Sequence, residues 1–483
     1  MLIPENYHYL DAAFHPKSIA VVGAHSGERK AGWISRLLDF GYEGSIYPIN
    51  PNAIEISGLK TYPTIRDVPE PVDYAIFNVP AQLTPQIMTD CVVNGVKVVH
   101  MFTSGFSETG KEDAKKLELQ VASIAKEGGV RIIGPNCMGI YYPAGGLTFA
   151  PFSKVPGNVS FISQSGAGSV RFIHLANERG IHFSKVISYG NAIDLDAPDF
   201  LEYLASDIET KIIACYIEGV KDGRRFLKAV KQCLVTKPVV ILKAGLTESG
   251  ARVTASHTAS LAGSSYIWKA FFNQTRAISV DSLEECADML MTLLFMPNPE
   301  GRRAGIVGRG GGLGVMATDS CEYAGLRVPP FLPETTSKLK TIIPDVGISV
   351  KNPVESARTI SDAADFYNKG LEVVDADSQI DFTIIHIGVD VYGGRQPDLQ
   401  EQLLKAVKAI ANIAYNLRKP VAVVLYSGEY IESITAVHEA RKKLVQLKIP
   451  VYFSIDSAAI SISRNIKYHE YVKQYNPVKL SGV

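Results

Sequence analysis

No charge of either sign dominates this 483-residue chain: Lys plus Arg number 49, Asp plus Glu number 49, and the formal net charge is +0. That balance offers no global attraction to nucleic acid or to an anionic membrane, so an anionic ligand has to be held by local devices such as helix N-termini. No apolar run approaches the roughly 20 residues that a membrane helix needs. The six cysteines, Cys91, Cys137, Cys215, Cys233, Cys286 and Cys321, include no C-x-x-C pair and no metal-ligand spacing, which fits a reducing cytoplasm. The N-terminal MLIPENYHYLDAAFHP is too polar for a signal peptide. Low-complexity tracts and short-period repeats are missing too. A soluble cytoplasmic protein is expected, with neither nucleic acid nor membrane as partner.

What the chain does have is apolar residues, 46% of the total, enough to give each of about three domains of ~150 residues its own core. The recurring theme is a short β-branched run, a Gly-containing turn and then a helical pattern, the signature of α/β domains with parallel sheets. Residues 1–128 show it first: SIAVVG enters a Gly-punctuated loop, an amphipathic stretch runs from Trp33 to Phe40, and SIYPINP, DYAIFNVP and VKVVHMFTSGF follow. A second domain over 129–295 has strands at Val159–Ser163, Lys185–Tyr189, Ile212–Glu218 and Val239–Lys243. MPNPEGRR, residues 296–303, interrupts both periods and reads as a linker. The third domain, 301–483, opens with AGIVG and the loop GRGGGLG, then alternates strands such as FTIIHIGV with long helical patterns.

Gly23, Gly27 and Gly32 follow the first strand, but their spacing is not G-x-G-x-x-G. The second strand ends in Asn50-Pro51, where an NAD site wants a ribose-binding acid. NAD is therefore disfavoured, while a phosphate at a helix N-terminus is not.

The most informative segment is Ala244 to Ser265, AGLTESGARVTASHTASLAGSS, a run of small residues with His257 near its centre. Its composition reads as a loop that moves or closely approaches a ligand. Glu218 ends the preceding strand, and Ser163-Gln164-Ser165-Gly166-Ala167 ends the domain's first strand at a helix N-terminus. C-terminal strand ends of a parallel sheet share one edge, so Ser165, Glu218 and His257 are expected to converge there. A carboxylate on one imidazole nitrogen leaves the other free as a nucleophile. A helix N-terminus beside it stabilises a phosphoryl group, and Gly311 and Gly312 open another helix able to do the same. The order Ser165, Glu218, His257 is also that of α/β-hydrolases, but Ser163 stands where their G-x-S-x-G elbow needs glycine.

Taken together, SIAVVGA, GSIYPINP, TSGFSETG, RIIGPNCMGI, FISQSGA, ISYGNAIDLDAPDFLEYLASD, YIEG, GARVTASHTASLAGS, GGGLGVMATD and VKNPVE resemble the ADP-forming acyl-CoA synthetases, relatives of succinyl-CoA synthetase. The resemblance implies a Rossmann-like CoA-binding domain followed by two flavodoxin-like, succinyl-CoA synthetase-like domains. It implies that Gly23, Ala24, Ser26, Asn50, Pro51, Val79, Pro80, Ser104, Gly105, Glu108 and Asn136 line the CoA site. Gln164 and Asn191 would face the acyl group, and Ser165, Gly166, Gly311 and Gly312 the phosphate. His257 would be transiently phosphorylated with Glu218 orienting it, in an acid–CoA ligase reaction through an acyl phosphate. ADP or ATP and Mg2+ would sit mainly on a separate ATP-grasp β subunit, in an α2β2 assembly, because no segment here reads as an ATP-grasp fold. Asn52, Ala192 and Arg309, with Arg171 and His174, depart from the family pattern, and an unusual acyl substrate or loss of turnover are the readings they raise. A CoA-binding protein without turnover and a Ser-dependent thioester hydrolase are the alternatives.

Overall fold

The computed structural model describes residues 8–25, 32–258, 264–308, 311–343, 349–355, 363–389, 398–426 and 430–475. The chain divides into two compact units, 1–177 with 181–286, and 178–180 with 287–483. Among the described residues no helix is long and apolar enough to cross a membrane.

The first unit contains two sheets. One is built from β1 (Ser18–Val22), β2 (Ser45–Ile49), β5 (Tyr74–Phe77), β6 (Val98–Met101) and β7 (Arg131–Ile133), in the order β2-β1-β5-β6-β7. The small hairpin of β3 (Glu55–Ile56) and β4 (Leu59–Lys60) lies outside it. All neighbours in this sheet run parallel. Every residue of β1, β5 and β6 is buried, as expected of parallel strands covered on both faces, which therefore read as unbroken apolar runs. Among the helices of this half are α1 (Asp11–Phe14), α2 (Trp33–Phe40), α3 (Thr84–Asn94) and α4 (Glu112–Glu127). Both α2 and α3 stop at a glycine with positive φ, Gly41 and Gly95, a backbone that residues with a Cβ rarely adopt.

The second sheet has the order β13-β12-β11-β9-β10-β8, from β8 (Gly139–Tyr141), β9 (Val159–Ser163), β10 (Phe183–Ser188), β11 (Ile212–Ile217), β12 (Val239–Lys243) and β13 (Ile278–Val280). Only β8 is antiparallel to its neighbour. The helices after these strands are α5 (Gly166–Asn177), α6 (Ala197–Ser206), α7 (Gly223–Leu234), α8 (Glu248–Thr258), α9 (Ser265–Thr275) and α10 (Leu283–Phe295). Asp196 and Asp222 cap α6 and α7 by accepting from backbone N–H groups of their first turns, donors that have no partner within the helix.

The expected domain boundary at 128 falls inside the first sheet, because Val98 of β6 pairs with Arg131 of β7. The change of sheet comes between Ile133 and Gly139, where β8 joins β10. A three-residue strand beside Gly-Pro carries too little pattern to be assigned to a sheet from sequence. A second difference concerns the segment read as a loop around His257. Residues 248–258 form α8, started by Thr247, whose Oγ1 accepts from Gly250 N at 3.1 Å, and supported by the i,i+4 pair Glu248–Arg252. Small size does not prevent a helix: alanine has the highest helix propensity, and a capping threonine supplies the missing acceptor.

In the second unit β14 (Ala304–Gly308), β15 (Val354–Glu355), β16 (Phe382–Ile387), β17 (Val421–Leu425) and β18 (Val451–Tyr452) form a parallel sheet in the order β15-β14-β16-β17-β18. After β14 comes α11 (Gly311–Tyr323), the helix expected to open at Gly311 and Gly312. Gly308 ends β14 directly over His386: a Cβ there would stand 2.1 Å from the His386 Nε2. His386 is fully buried, and burial holds its imidazole down at about 4.

Candidate active site

The C-terminal ends of β1, β2, β5 and β6 form one edge of the first sheet, and the CoA-site residues expected from sequence lie along it. Gly23 leaves β1 with φ +80, and a Cβ there would stand 2.2 Å from Asn78 O and 2.7 Å from Val79 Cγ1, so glycine is required on both counts. Asn50 is engaged at both ends of its amide: Nδ2 donates to Ala24 O at 2.7 Å and Oδ1 accepts from Asn52 N at 2.8 Å. The side chain therefore stitches the ends of β1 and β2 together, and Asn52 enters as a backbone donor to it. Pro51, Pro80 and Ser104 are exposed beside this edge. Thr103 Oγ1 donates to Val79 O at 2.9 Å, tying the ends of β5 and β6. Ser26 lies outside the described residues.

The turn after β6 is organised by one carboxylate. Glu108 Oε1 accepts from Gly105 N at 2.6 Å and from Phe106 N at 3.1 Å, and Gly105 takes φ +104. Glu108 Oε2 accepts from Asn191 Nδ2 at 2.7 Å, so the turn that ends the first sheet's edge is bonded to the loop after β10 of the second sheet. That loop runs beside residues 132–136: Asn191 N donates to Pro135 O, Ile193 N to Gly134 O and Leu195 N to Ile132 O. A Cβ on Gly190 would stand 2.2 Å from Pro135 O, so the backbones are in close approach. Asn136 and Ala192 both hold positive φ, 57° and 54°, a strained conformation for residues with a side chain that recurs at functional sites. Arg131 adds a bidentate pair with Asp194, at 2.8 and 3.0 Å.

On the second sheet, β9 and β11 are neighbours, and their C-terminal ends carry the remaining residues. Ser165 caps α5, its Oγ accepting from Gly168 N at 3.0 Å, while Ser163 Oγ donates to Ser165 O at 2.9 Å. Gly166 opens the helix against Met138, whose Cγ would lie 3.2 Å from a Cβ. Gln164, expected to face an acyl group, is 5% exposed, and its Oε1 accepts from both Glu218 N and Gly219 N. Its visible task is to hold the backbone that presents Glu218. Glu218 is 5% exposed as well. Burial, with the charge and hydrogen bond of Glu218, pushes the neighbouring Tyr216 hydroxyl up to about 12.

Sequence reasoning missed Lys243, the last residue of β12 and 4% exposed. Its Nζ donates to Glu218 O at 2.8 Å and to Ala244 O, and stands 5.2 Å over the Trp268 ring. Burial lowers the ammonium to about 8 against the opposing pull of Glu218. Its lysine-after-apolar-run setting looked like an ordinary strand end. Glu118, on α4, was missed too, because an acid on an amphipathic helix reads as a solvated face.

His257 falls in the last turn of α8, and its side chain lies outside the described residues. That helix packs against the turn Ser107–Thr109, which bears Glu108, within the first unit. Gly311 and Gly312 open α11 in the other unit, and Arg309 lies outside the described residues. All six cysteines are free and buried.

Known proteins are similar to this chain in sequence and fold. Residues 17–143 match the family described as CoA binding domain, and residues 156–293 the succinyl-CoA ligase like flavodoxin domain. The α subunit of acetate–CoA ligase [ADP-forming] II of Pyrococcus furiosus is 38% identical over 92% of this chain and 94% of its own length. The α subunit of acetate–CoA ligase [ADP-forming] I of the same organism is 41% identical over 72% of this chain and 76% of its own. A solved structure of the Ca. Korarchaeum cryptofilum dinucleotide forming acetyl-coenzyme A synthetase 1, in complex with phosphate and ADP, is 32% identical. It superposes with a TM-score of 0.82 over 98% of this chain and 99% of that one.

Proposed function

Because the chain belongs to the ADP-forming acetate–CoA ligase family, we propose that it is the α subunit of such an enzyme. It interconverts acyl-CoA, ADP and phosphate with a carboxylic acid, CoA and ATP. The single observation that carries this reading is the packing of α8, the helix of His257, against the Ser107–Thr109 turn at the edge where the CoA-site residues gather. In the ATP-forming direction a phosphate oxygen attacks the thioester carbonyl. The C–S bond breaks, CoA leaves as thiolate and takes a proton, and an acyl phosphate remains. The free nitrogen of His257 then attacks phosphorus, the P–O bond to the acyl group breaks, and the carboxylate departs. The phosphoryl group finally passes from nitrogen to the terminal oxygen of ADP.

Within that sequence Glu218 orients the His257 imidazole, and Gln164 and Lys243 hold Glu218 and the root of α8 through backbone contacts. The N-terminus of α5, capped by Ser165, offers N–H groups and the positive end of its dipole to phosphate. Gly23, Asn50 and Glu108 shape the edge that receives CoA. The nucleotide, with the Mg2+ that phosphoryl transfer uses, is assigned to an ATP-grasp β subunit in an α2β2 assembly in the cytoplasm. In support, relatives named as α subunits match this chain over most of their length. The Archaeoglobus fulgidus relative named simply acetate–CoA ligase [ADP-forming] I is longer, so that this chain covers 63% of it. A serine-hydrolase reading is weakened by Ser165, whose oxygen serves as a helix cap.

The test uses the purified chain with labelled phosphate and a panel of acyl-CoA thioesters, comparing wild type with His257→Ala. Acid-labile label that requires His257 establishes the first half-reaction and identifies the acyl group. Absence of label with every thioester, with or without a β subunit, would overturn the reading in favour of CoA binding without turnover.

A further inference from the structure

The turn Ser107–Thr109 touches both halves of the proposed site, and a residue outside every expected set holds it there. Glu118, on α4, accepts through Oε2 from Ser107 Oγ at 2.7 Å, from Ser107 N at 3.2 Å and from Asn191 Nδ2 at 3.2 Å. The same Asn191 amide donates to Glu108 Oε2 at 2.7 Å, and Asn191 is 8% exposed. One nearly buried NH2 group thus joins two carboxylates, one from the turn itself and one from the helix behind it. Both bonds run from the amide NH2 to a carboxyl oxygen.

We infer that Glu118 is a positioning residue that fixes the Ser107–Thr109 turn in its CoA-receiving conformation, with the Asn191 amide as the pin between Glu118 and Glu108. The reason is the count of bonds on one atom. Removing the Glu118 carboxylate strips the acceptor from Ser107 N, from Ser107 Oγ and from one hydrogen of Asn191. The turn is short and ends at Gly110 with φ +72; its own bonds, Thr109 N to Phe106 O and Gly110 N to Ser107 O, both at 3.0 Å, keep its shape but do not tie it to α4. Also remaining are the Glu108 bonds to Gly105 and Phe106, which shape the start of the turn, and to Asn191, which ties it to the loop after β10; none of them anchors it to α4. A turn that must be ordered on binding draws that ordering free energy from the affinity for its ligand. The inference rests on the reading of this edge as the CoA site.

The experiment measures the dissociation constant of CoA by calorimetry for wild type, Glu118→Ala, Glu118→Gln and Asn191→Asp, with melting temperatures alongside. Glu118→Ala is expected to weaken CoA about tenfold, which corresponds to about 1.4 kcal/mol. Glu118→Gln keeps one carbonyl acceptor for Ser107 and should return affinity to within about threefold of wild type. Asn191→Asp cannot donate and places a third carboxylate beside two others, so it should weaken CoA at least as much as Glu118→Ala. Equal affinity in all four proteins overturns the inference, as does a fall in melting temperature with affinity unchanged, which would make Glu118 merely structural. If Glu118→Ala does not fold, Asn191→Asp and Glu118→Gln decide alone. Failure of this inference is distinguishable from failure of the catalytic reading, because the latter appears as missing label in wild type while the former appears in CoA affinity. A wild type that binds no CoA overturns both.

Discussion

Replacing Gln164 by leucine separates two roles that one side chain could have. If it faced the acyl group, the substitution would change substrate affinity and little else. Its Oε1 instead accepts two buried N–H groups, from Glu218 and Gly219. Leucine leaves both donors without an acceptor in a place 5% exposed, and each such orphan costs about 1–3 kcal/mol. A total of about 3 kcal/mol is the expected loss, since one of the two can reach water if the turn shifts. At about 2–4 °C per kcal/mol for a unit of this size, thermal unfolding should move down by roughly 6–12 °C. The same shift would release the backbone that presents Glu218, so labelling of His257 from acyl-CoA and phosphate should slow by about tenfold or more. Gln164→Glu keeps the acceptor but sets a second carboxylate next to Glu218. It should recover most of the melting temperature and little of the labelling rate. Circular dichroism melts and rapid-quench labelling read the two quantities. A Gln164→Leu protein that melts within about 1 °C of wild type, with only the Michaelis constant for acyl-CoA changed, would refute the reasoning and return Gln164 to the substrate pocket.

Gly23→Ala should abolish CoA binding in calorimetry and lower stability by several kcal/mol, about the scale of a strained backbone plus an overpacked contact, because its Cβ would fall 2.2 Å from Asn78 O at φ +80. Burial lowers Lys243 to about 8 from an ordinary 10.5, so the unfolded chain binds the extra proton between those values and stability gains as pH rises through that window. The urea midpoint of wild type relative to Lys243→Met should therefore climb from pH 8 towards 10, by no more than about 3 kcal/mol in free energy. A flat difference would show that the ammonium is not held as described. Because all six thiols are buried, a thiol reagent should modify none in the native protein and all six in urea. Removing the α8 cap with Thr247→Ala should destabilise the helix by about 1 kcal/mol, seen as faster amide exchange over 248–258 with the rest of the second sheet unchanged.

Much of this protein was determined by local pattern. Val159–Ser163 and Val239–Lys243 were legible as strands to the residue, and Trp33–Phe40 as a helix, because burial on both faces of a parallel sheet writes an unbroken β-branched run and a half-buried helix writes a 3.6-residue period. The ends carrying Ser165 and Glu218 were legible as belonging to one sheet edge for the same reason, because the parallel neighbours β9 and β11 bring their C-terminal ends together, while the His257 side chain lies outside the described residues. The helical state of 248–258 was written there too, in Thr247 and the Glu248–Arg252 spacing, but the abundance of small residues concealed it.

What only the tertiary structure decided is which polar side chain meets which. Gln164 and Glu218 are 54 residues apart, and Glu118 and Asn191 are 73 apart. Their pairing depends on β11 lying beside β9 and on the loop after β10 lying against residues 132–136. Sheet order and loop approach are set by the summed packing of whole elements, while a single glutamate on a helix looks the same in sequence whether it faces water or an asparagine amide.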